Sequence, residues 1–224
     1  MNLEQVIPWG RTLAEYQLMF SLSASDLGLK ILGCGDGPAS FNAEMTKQGH
    51  AVVSIDPIYQ FSAAQIRQRV EDIYEPVISQ LRQNLDRYVW QNFRNPEELG
   101  QARLAAMEKF LLDYETGKSA GRYQYQSLPS LEFLDRQFEL CLCSHLLFLY
   151  SEHLSLEFHL ASILELLRVA SEVRIFPLIK LNGEPSPYIE TVIQSLSNQG
   201  FNPQIQSVGY EFQKRGNQML RINS

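Results

Sequence analysis

Apolar positions change their period several times along the chain, and each change marks an element. Leu29-Lys30-Ile31-Leu32 is a short strand-like run, broken by Gly33-Cys34-Gly35-Asp36-Gly37-Pro38. A helical spacing follows from Ala39 to Gln48 and stops at Gly49. Ala51-Val52-Val53-Ser54-Ile55 then reads as a buried strand ending at Asp56. Strand, tight loop, helix and strand within fewer than thirty residues seed a parallel sheet. Ahead of them, Thr12-Leu13-Ala14-Glu15 carries a capping-box pattern for a short helix with Tyr16, Met19 and Phe20.

From Phe61 to Lys118 the pattern is helical. Ile66, Val70, Ile73, Val77, Leu81, Leu85 and Tyr88 recur at steps of three and four, so one face is apolar, and Pro76 is expected to bend or break the helix. Asn95, Pro96 and Glu98 announce a second helix with the stripe Leu104, Met107, Leu111 and Tyr114. A crossover between neighbouring parallel strands needs only about a dozen residues. Residues 60–120 are therefore read as a helical insertion, a cap packed over one end of the sheet within a single domain, 1–224.

Strand patterns resume at Arg122–Gln126, Phe138–Cys143 and Val173–Leu178. A helix spans Ser155 to Val169, with Leu156, Leu160, Ile163 and Leu167 on one face. Ser186-Pro187 is read as the cap of another, which stops at Gly200. Two closing runs, Gln204–Phe212 and Gln218–Ile222, are expected to form a hairpin turning at Lys214-Arg215-Gly216-Asn217.

Composition narrows the function. The chain has 224 residues, 45% of them hydrophobic and 20% charged, enough apolar mass for one large core. Its net charge is −6 and it has no basic run, which argues against nucleic acid as a partner. The opening Met1-Asn2-Leu3-Glu4-Gln5-Val6 lacks the basic and apolar regions of a signal peptide, and the most apolar stretch, Leu140–Tyr150, is too short to span a bilayer. Three cysteines, Cys34, Cys141 and Cys143, follow no disulfide framework and point to reduced thiols in a cytoplasmic protein. Cys141, Cys143 and His145 alternate along one strand, as zinc ligands can, but the pattern offers no fourth ligand and no metal is expected. The expected assembly is a monomer or a homodimer.

The glycine loop between Ile31 and Ala39, the acid Asp56 and the run Leu131-Glu132-Phe133-Leu134-Asp135-Arg136-Gln137-Phe138-Glu139 together resemble the class I S-adenosylmethionine (SAM)-dependent methyltransferases. The likeness covers Leu29 to Ile222, interrupted by the helical block, and marks a divergent, bacterial-type member. It implies a three-layer Rossmann-like α/β sandwich: a mostly parallel seven-stranded sheet with an antiparallel last strand. It also implies SAM as cofactor and S-adenosylhomocysteine as product. The loop has two registers, one starting at Gly33 and one at Gly35. The family places an acid about twenty-one positions after the first loop glycine, and counting back from Asp56 selects Gly35.

On that resemblance, Gly33, Cys34, Gly35, Asp36 and Gly37 form the cofactor loop, since glycines let the backbone approach a ligand. Asp56 accepts from the ribose hydroxyls, and Pro57 and Ile58 present an apolar face to adenine. Ser127 and Leu128 take the adenine-contacting positions, and Ser144 faces the methionine end. Two departures stand out. The acid that the family places two before the first loop glycine is Gly33 here, and the adenine-binding acid is Ser127. Asp36 is the substitute at hand for the first. Methyl transfer from a sulfonium asks little chemistry of the protein, so the acceptor leaves no motif. It is expected to be a small molecule, with His145 and Tyr150 as proton acceptor or orienting group because they follow the fourth strand. Two other functions fit the βαβ seed. An NAD(P)-dependent oxidoreductase would use the same loop, with Ser40 at the last small position. A catalytically silent SAM-binding protein would account for the two missing acids.

Overall fold

The structure, a computed structural model, describes residues 8–223; the opening segment 1–6 lies outside them. In chain order the elements are α1 (Leu13–Met19), α2 (Ala24–Leu27), β1 (Ile31–Cys34), α3 (Phe41–Lys47), β2 (Val52–Ile55), α4 (Ala63–Gln83), α5 (Pro96–Ser119), β3 (Tyr123–Gln124), β4 (Phe138–Ser144), α6 (Leu156–Val169), β5 (Ala170–Phe176), α7 (Ile189–Asn198), β6 (Asn202–Ser207) and β7 (Gln218–Asn223). Seven strands form one sheet in the order β3-β2-β1-β4-β5-β7-β6. β7 runs against both of its neighbours, and all other pairings are parallel. This is the expected Rossmann-like fold with a reversed last strand.

Side-chain alternation assigns the two faces of the sheet. Leu32, Cys34, Cys141, Cys143 and Ile175 point to one side, where Ile163, Leu166 and Leu167 of α6 and Val192 and Leu196 of α7 cover them. Ile31, Leu140, Leu142 and Phe176 point to the other side, against Tyr16 and Met19 of α1 and Phe41 and Met45 of α3. The central strands are buried on both faces, so their sequences are almost continuously apolar. The three cysteines are thus buried packing residues, and no group of His, Cys, Asp or Glu that could hold a metal occurs among the described residues. No helix among them is long and apolar enough to cross a membrane.

The block between β2 and β3 is a pair of antiparallel helices, tied by Arg67–Glu108 at one end and Arg82–Glu97 at the other. Near the sheet it packs Ile66, Val70, Phe110 and Tyr114 onto Tyr59 and Tyr123. Farther out it packs Ile78, Leu81 and Leu99. Pro76 does not break α4. Its missing N–H and its ring fall on the exposed side, so the buried face keeps its spacing. The buried stripe of α5 runs through Leu99, Arg103, Ala106, Met107, Phe110 and Tyr114, which leaves Leu104 at its exposed edge.

Three other boundaries differ from expectation. β1 starts two residues late: Leu29 closes the turn after α2 on Asp26 O, and Lys30 exchanges its backbone bonds with Glu139. Ser186 does not cap α7; Tyr188 holds that position and Ser186 bonds Ser151 instead. The closing strands pair from Ser207 to Gln218, so residues 208–217 form a long connection in place of a tight hairpin turn. That connection carries Tyr210, Phe212 and Gly216 toward the ends of the helical block.

Candidate active site

The sheet reverses its order of connection at β1, between β2 and β4. Open α/β sheets bind ligands there, at the carboxyl ends of the strands. The segments that leave β1, β2 and β4 at that end are the glycine loop, Asp56 and His145.

The loop is held from several directions. Gly35 N–H donates to Ile55 O at 3.0 Å, Gly37 N–H to Asp56 Oδ2 at 2.9 Å, and Tyr59 Oη–H to Gly37 O at 2.8 Å. Gly35 and Gly37 have φ of +71° and +52°, the left-handed region that favours glycine, whereas Gly33 lies in β1. The turn that requires glycine therefore lies at Gly35 and Gly37, after β1 has ended.

Gly33 has its own explanation. A Cβ built on it would stand 1.9 Å from Asp36 Oδ2. The carboxyl of Asp36 folds back into the space that a side chain at position 33 would take. Tyr16 Oη–H donates to its Oδ1 at 2.7 Å and Ser54 Oγ–H to its Oδ2 at 2.6 Å. The space beside β1 at position 33 is thus filled by a carboxyl from three residues later in sequence. Burial pushes the Asp36 carboxyl up to about 7, with repulsion from Asp56 adding to it, although the bonds from Ser54 and Tyr16 favour the charged form. Asp56 accepts from Ile58 N–H at 2.8 Å as well as from Gly37, and desolvation raises it to about 6.

A groove of about 50 Å³ opens over this loop, lined by Gly35, Asp36, Gly37, Asp56, Ile58, Arg69 and His145, with the N-terminal segment Pro8–Arg11 closing one side. That segment is fitted to the loop. A Cβ on Gly10 would meet Pro38 O at 2.1 Å, and Ser40 N–H donates to Arg11 O at 3.0 Å.

Beside the groove lies a larger cavity of about 270 Å³. Its wall comes from five separate stretches of chain: Trp9 and Arg11; Val77, Leu81, Leu99 and Arg103 of the helical block; His145, Leu149 and Tyr150 after β4; Phe176 and Ile179 after β5; and Tyr210 and Phe212 between β6 and β7. Trp9, Arg11 and His145 line both spaces.

His145 follows β4 at φ +51°, a conformation uncommon outside glycine, and its N–H is fixed on Phe176 O at 2.7 Å. Nδ1 shares a 3.0 Å hydrogen bond with Ser144 Oγ. Burial, then the cations Arg11 and Arg103, hold the imidazole well below the usual histidine value, so it is neutral at pH 7.

The expected residues divide into two sets. Gly35, Asp36, Gly37, Asp56, Ile58 and His145 line the groove, and Tyr150 joins His145 on the cavity wall. Gly33, Cys34, Pro57, Ser127, Leu128 and Ser144 are not part of the groove's lining. Gly33 and Cys34 belong to β1, and Cys34 faces the core. Leu128 is buried in the core cluster with Phe133 and Phe138, and Ser127 pairs with Ser130 in the loop after β3. Ser144 is buried and hydrogen-bonds His145. Sequence reasoning missed Trp9, Arg11 and Arg69. The only signal was local: Arg11 directly precedes the capping box of α1. Arg69 lies over the Phe61 ring at 4.5 Å, where it closes the end of the groove beside Ile58.

The uncharacterized protein MJ0045 of Methanocaldococcus jannaschii is 33% identical over 223 residues, which is 99% of this chain and 98% of that protein. This chain belongs to the family of MJ0045. No family model matches it. Among solved structures, the magnesium protoporphyrin IX methyltransferase ChlM of Synechocystis PCC 6803 with bound SAM is similar at 15% identity and a TM-score of 0.46, over 89% of this chain and 72% of that one. The PH0226 protein of Pyrococcus horikoshii OT3 is similar at 13% and 0.44, over 87% and 81%. These likenesses concern the fold, which the strand order establishes by itself.

Proposed function

We propose that this chain is a SAM-dependent methyltransferase that acts on a small-molecule acceptor. The observation that carries the reading is the shared wall. One neutral histidine borders both the loop-and-carboxylate groove and a separate apolar cavity.

The groove's donor set suits the ribose and amino-acid ends of SAM. An ionised carboxylate has about four acceptor positions. Asp56 uses two of them on its own backbone and keeps two for vicinal hydroxyls. Asp36 stands where the family's acid would face the ammonium group. Gly37 leaves the Asp56 carboxylate uncovered, since a Cβ there would meet only Asp56 Oδ2, at 3.9 Å. Ile58 and the Arg69–Phe61 stack replace Ser127 and Leu128 as the candidate adenine contacts.

SAM, when bound, supplies a methyl group already activated on a sulfonium, so the protein contributes alignment and exclusion of water. The helical block supplies the exclusion as a cap: Val77, Leu81, Leu99 and Arg103 wall the cavity. His145 supplies the proton acceptor. With Nδ1–H donating to Ser144 Oγ, Nε2 keeps its lone pair for a hydroxyl, thiol or amine proton.

Calorimetry with S-adenosylhomocysteine, SAM and NAD tests the site. S-adenosylhomocysteine and SAM are expected to bind and NAD to fail, and Asp56→Ala is expected to weaken S-adenosylhomocysteine at least tenfold. Absence of SAM-type binding, or binding indifferent to Asp56→Ala, overturns the assignment. Binding without labelled-methyl transfer to any small acceptor would convert the enzyme to a silent SAM-binding protein.

A further inference from the structure

Arg11 has unmade bonds. Its Nη1 donates to Trp9 O at 2.8 Å. Its Nε is buried without an acceptor, and among the described residues none takes Nη2. Those two N–H groups are the edge of a guanidinium that grips a carboxylate side-on with two parallel hydrogen bonds. Trp9 Nε1, on the same wall, is a second buried donor without an acceptor.

The local charges do not cancel. Arg103, the other cation on the cavity, is held by both oxygens of Glu15, through Nη1 and Nη2 at 2.6 Å each, and by Tyr210 at 3.2 Å. No carboxylate among the described residues forms an ion pair with Arg11. Of the groove's acids, Asp36 is engaged by Tyr16 and Ser54, and Asp56 by Gly37 and Ile58. Two guanidinium groups against one paired carboxylate leave a positive charge on the cavity of a chain whose net charge is −6. Arg11 is half-buried with its Nε out of reach of water, and a cation held so is costly unless an anion meets it.

The rest of the cavity is aromatic and aliphatic. Tyr88 and Phe212 stack at 4.8 Å between ring centres, and Tyr150, Phe176 and Tyr210 add further rings. A cavity of about 150 Å³ holds one benzene ring, so 270 Å³ takes one or two rings.

We propose that the cavity binds a one- or two-ring aromatic carboxylate as the methyl acceptor, its carboxylate on the free edge of Arg11 and its rings among Trp9, Tyr88 and Phe212. The role as acceptor rests on the methyltransferase reading. The anion site rests on Arg11 and the cavity alone.

Calorimetry with 2-naphthoate and its uncharged isostere 2-naphthamide tests it, run with and without S-adenosylhomocysteine. Wild type is expected to prefer naphthoate at least tenfold. Arg11→Gln is expected to abolish the preference. Arg11→Lys keeps the charge without the fork and is expected to retain a reduced preference, with unchanged near-ultraviolet circular dichroism as the check on folding. Equal binding of the two probes by wild type overturns the anion site. So does an Arg11→Gln variant that loses S-adenosylhomocysteine and keeps the naphthoate preference, because Arg11 would then hold the cofactor's own carboxylate. A wild type that prefers naphthoate and binds no S-adenosylhomocysteine refutes the acceptor role and the methyltransferase reading together, and leaves the anion site intact.

Discussion

The groove and the cavity share a wall but are built on opposite plans. In the groove, the polar groups of the loop find their partners inside the chain: Gly35 on Ile55, Gly37 on Asp56 and Tyr59, Asp36 on Tyr16 and Ser54. In the cavity, rings and aliphatic side chains from five stretches of chain meet, and Arg11 keeps an unused edge. The first plan preorganises a site for one fixed ligand, which lowers the ordering cost of binding. The second offers shape and one charge, features that change by single substitutions. On the methyltransferase proposal, a family built this way can keep its cofactor and vary its acceptor.

The two regions meet on one turn of helix. Tyr16 of α1 reaches into the groove to Asp36, while its neighbour Glu15 reaches toward the cavity to Arg103 and Tyr210. Burial alone would raise the Glu15 carboxyl, but Arg103 beside it wins and holds it below the usual range. Glu15→Gln therefore leaves Arg103 and Arg11 as unneutralised cations side by side. Breaking a buried pair costs about 3–5 kcal/mol, the largest loss expected here, read as the shift of a urea unfolding curve. A loss below about 1 kcal/mol would show that the two regions are not joined through this pair.

Gly33→Ala comes next. The new Cβ falls on a carboxyl that two hydrogen bonds hold in place, so Asp36 must leave its partners. A cost of about 2–3 kcal/mol is expected from overpacking and lost hydrogen bonds, together with loss of S-adenosylhomocysteine binding. The cavity supplies the contrast. In Gly216→Ala the new Cβ meets the end of the Ile179 side chain at 2.8 Å, an atom that can swing aside, as well as Gln213 O at 3.0 Å. About 1 kcal/mol is expected there, with cofactor binding unchanged. Equal costs at the two positions would erase the distinction between a rigid groove and an adaptable cavity.

The same distinction explains what could be read from the sequence. The groove was legible because its parts are close in the chain: β1, the glycine loop, α3 and β2 occupy residues 31–55, and Asp56, to which the family resemblance pointed, meets Gly37 N–H across that short span. Helix caps were legible for the same reason. Thr12 with Glu15 and Asn95 with Glu98 form the bonds their spacing requires. Ser127 and Leu128 lie outside the groove's lining, in a loop to which the family's alignment was carried and where core packing takes Leu128. The cavity left no motif, since residues as far apart as Trp9 and Phe212 meet only through the fold. The hairpin was misread because Gly216 suggested a turn, whereas residues 208–217 form a long connection to the cavity.

A smaller effect is expected from pH. Asp36 and Asp56 are raised to about 7 and about 6, so the folded chain binds protons that the unfolded chain has released. Their contribution to stability is fully present below the usual aspartate range and is lost as pH rises through about 7, at no more than about 1.4 kcal/mol per unit per group. A ligand with an ammonium group favours the ionised carboxylates, so S-adenosylhomocysteine should bind more tightly as pH rises from 6 to 8. Asp36→Asn should flatten that dependence above pH 6.5. Naphthoate, held by Arg11, should bind with little change over the same range. A parallel pH dependence for both ligands would mean that one charge network serves both regions.

The smallest effect is expected at Pro76. Pro76→Ala restores an N–H to the exposed side of α4 and gives the helix a better former. It also frees the unfolded chain, which offsets the gain. The net change in stability should stay within about 1 kcal/mol. The informative readout is binding. Pro76 adjoins Val77, and Val77 and Leu81 line the cavity while no residue of that turn lines the groove. Any adjustment of the turn should reach naphthoate, by up to about threefold, and leave S-adenosylhomocysteine unchanged. If the cofactor affinity moved and the naphthoate affinity did not, this turn of α4 would act on the groove, through Arg69 of the same helix, and the division drawn between the two regions would fail there.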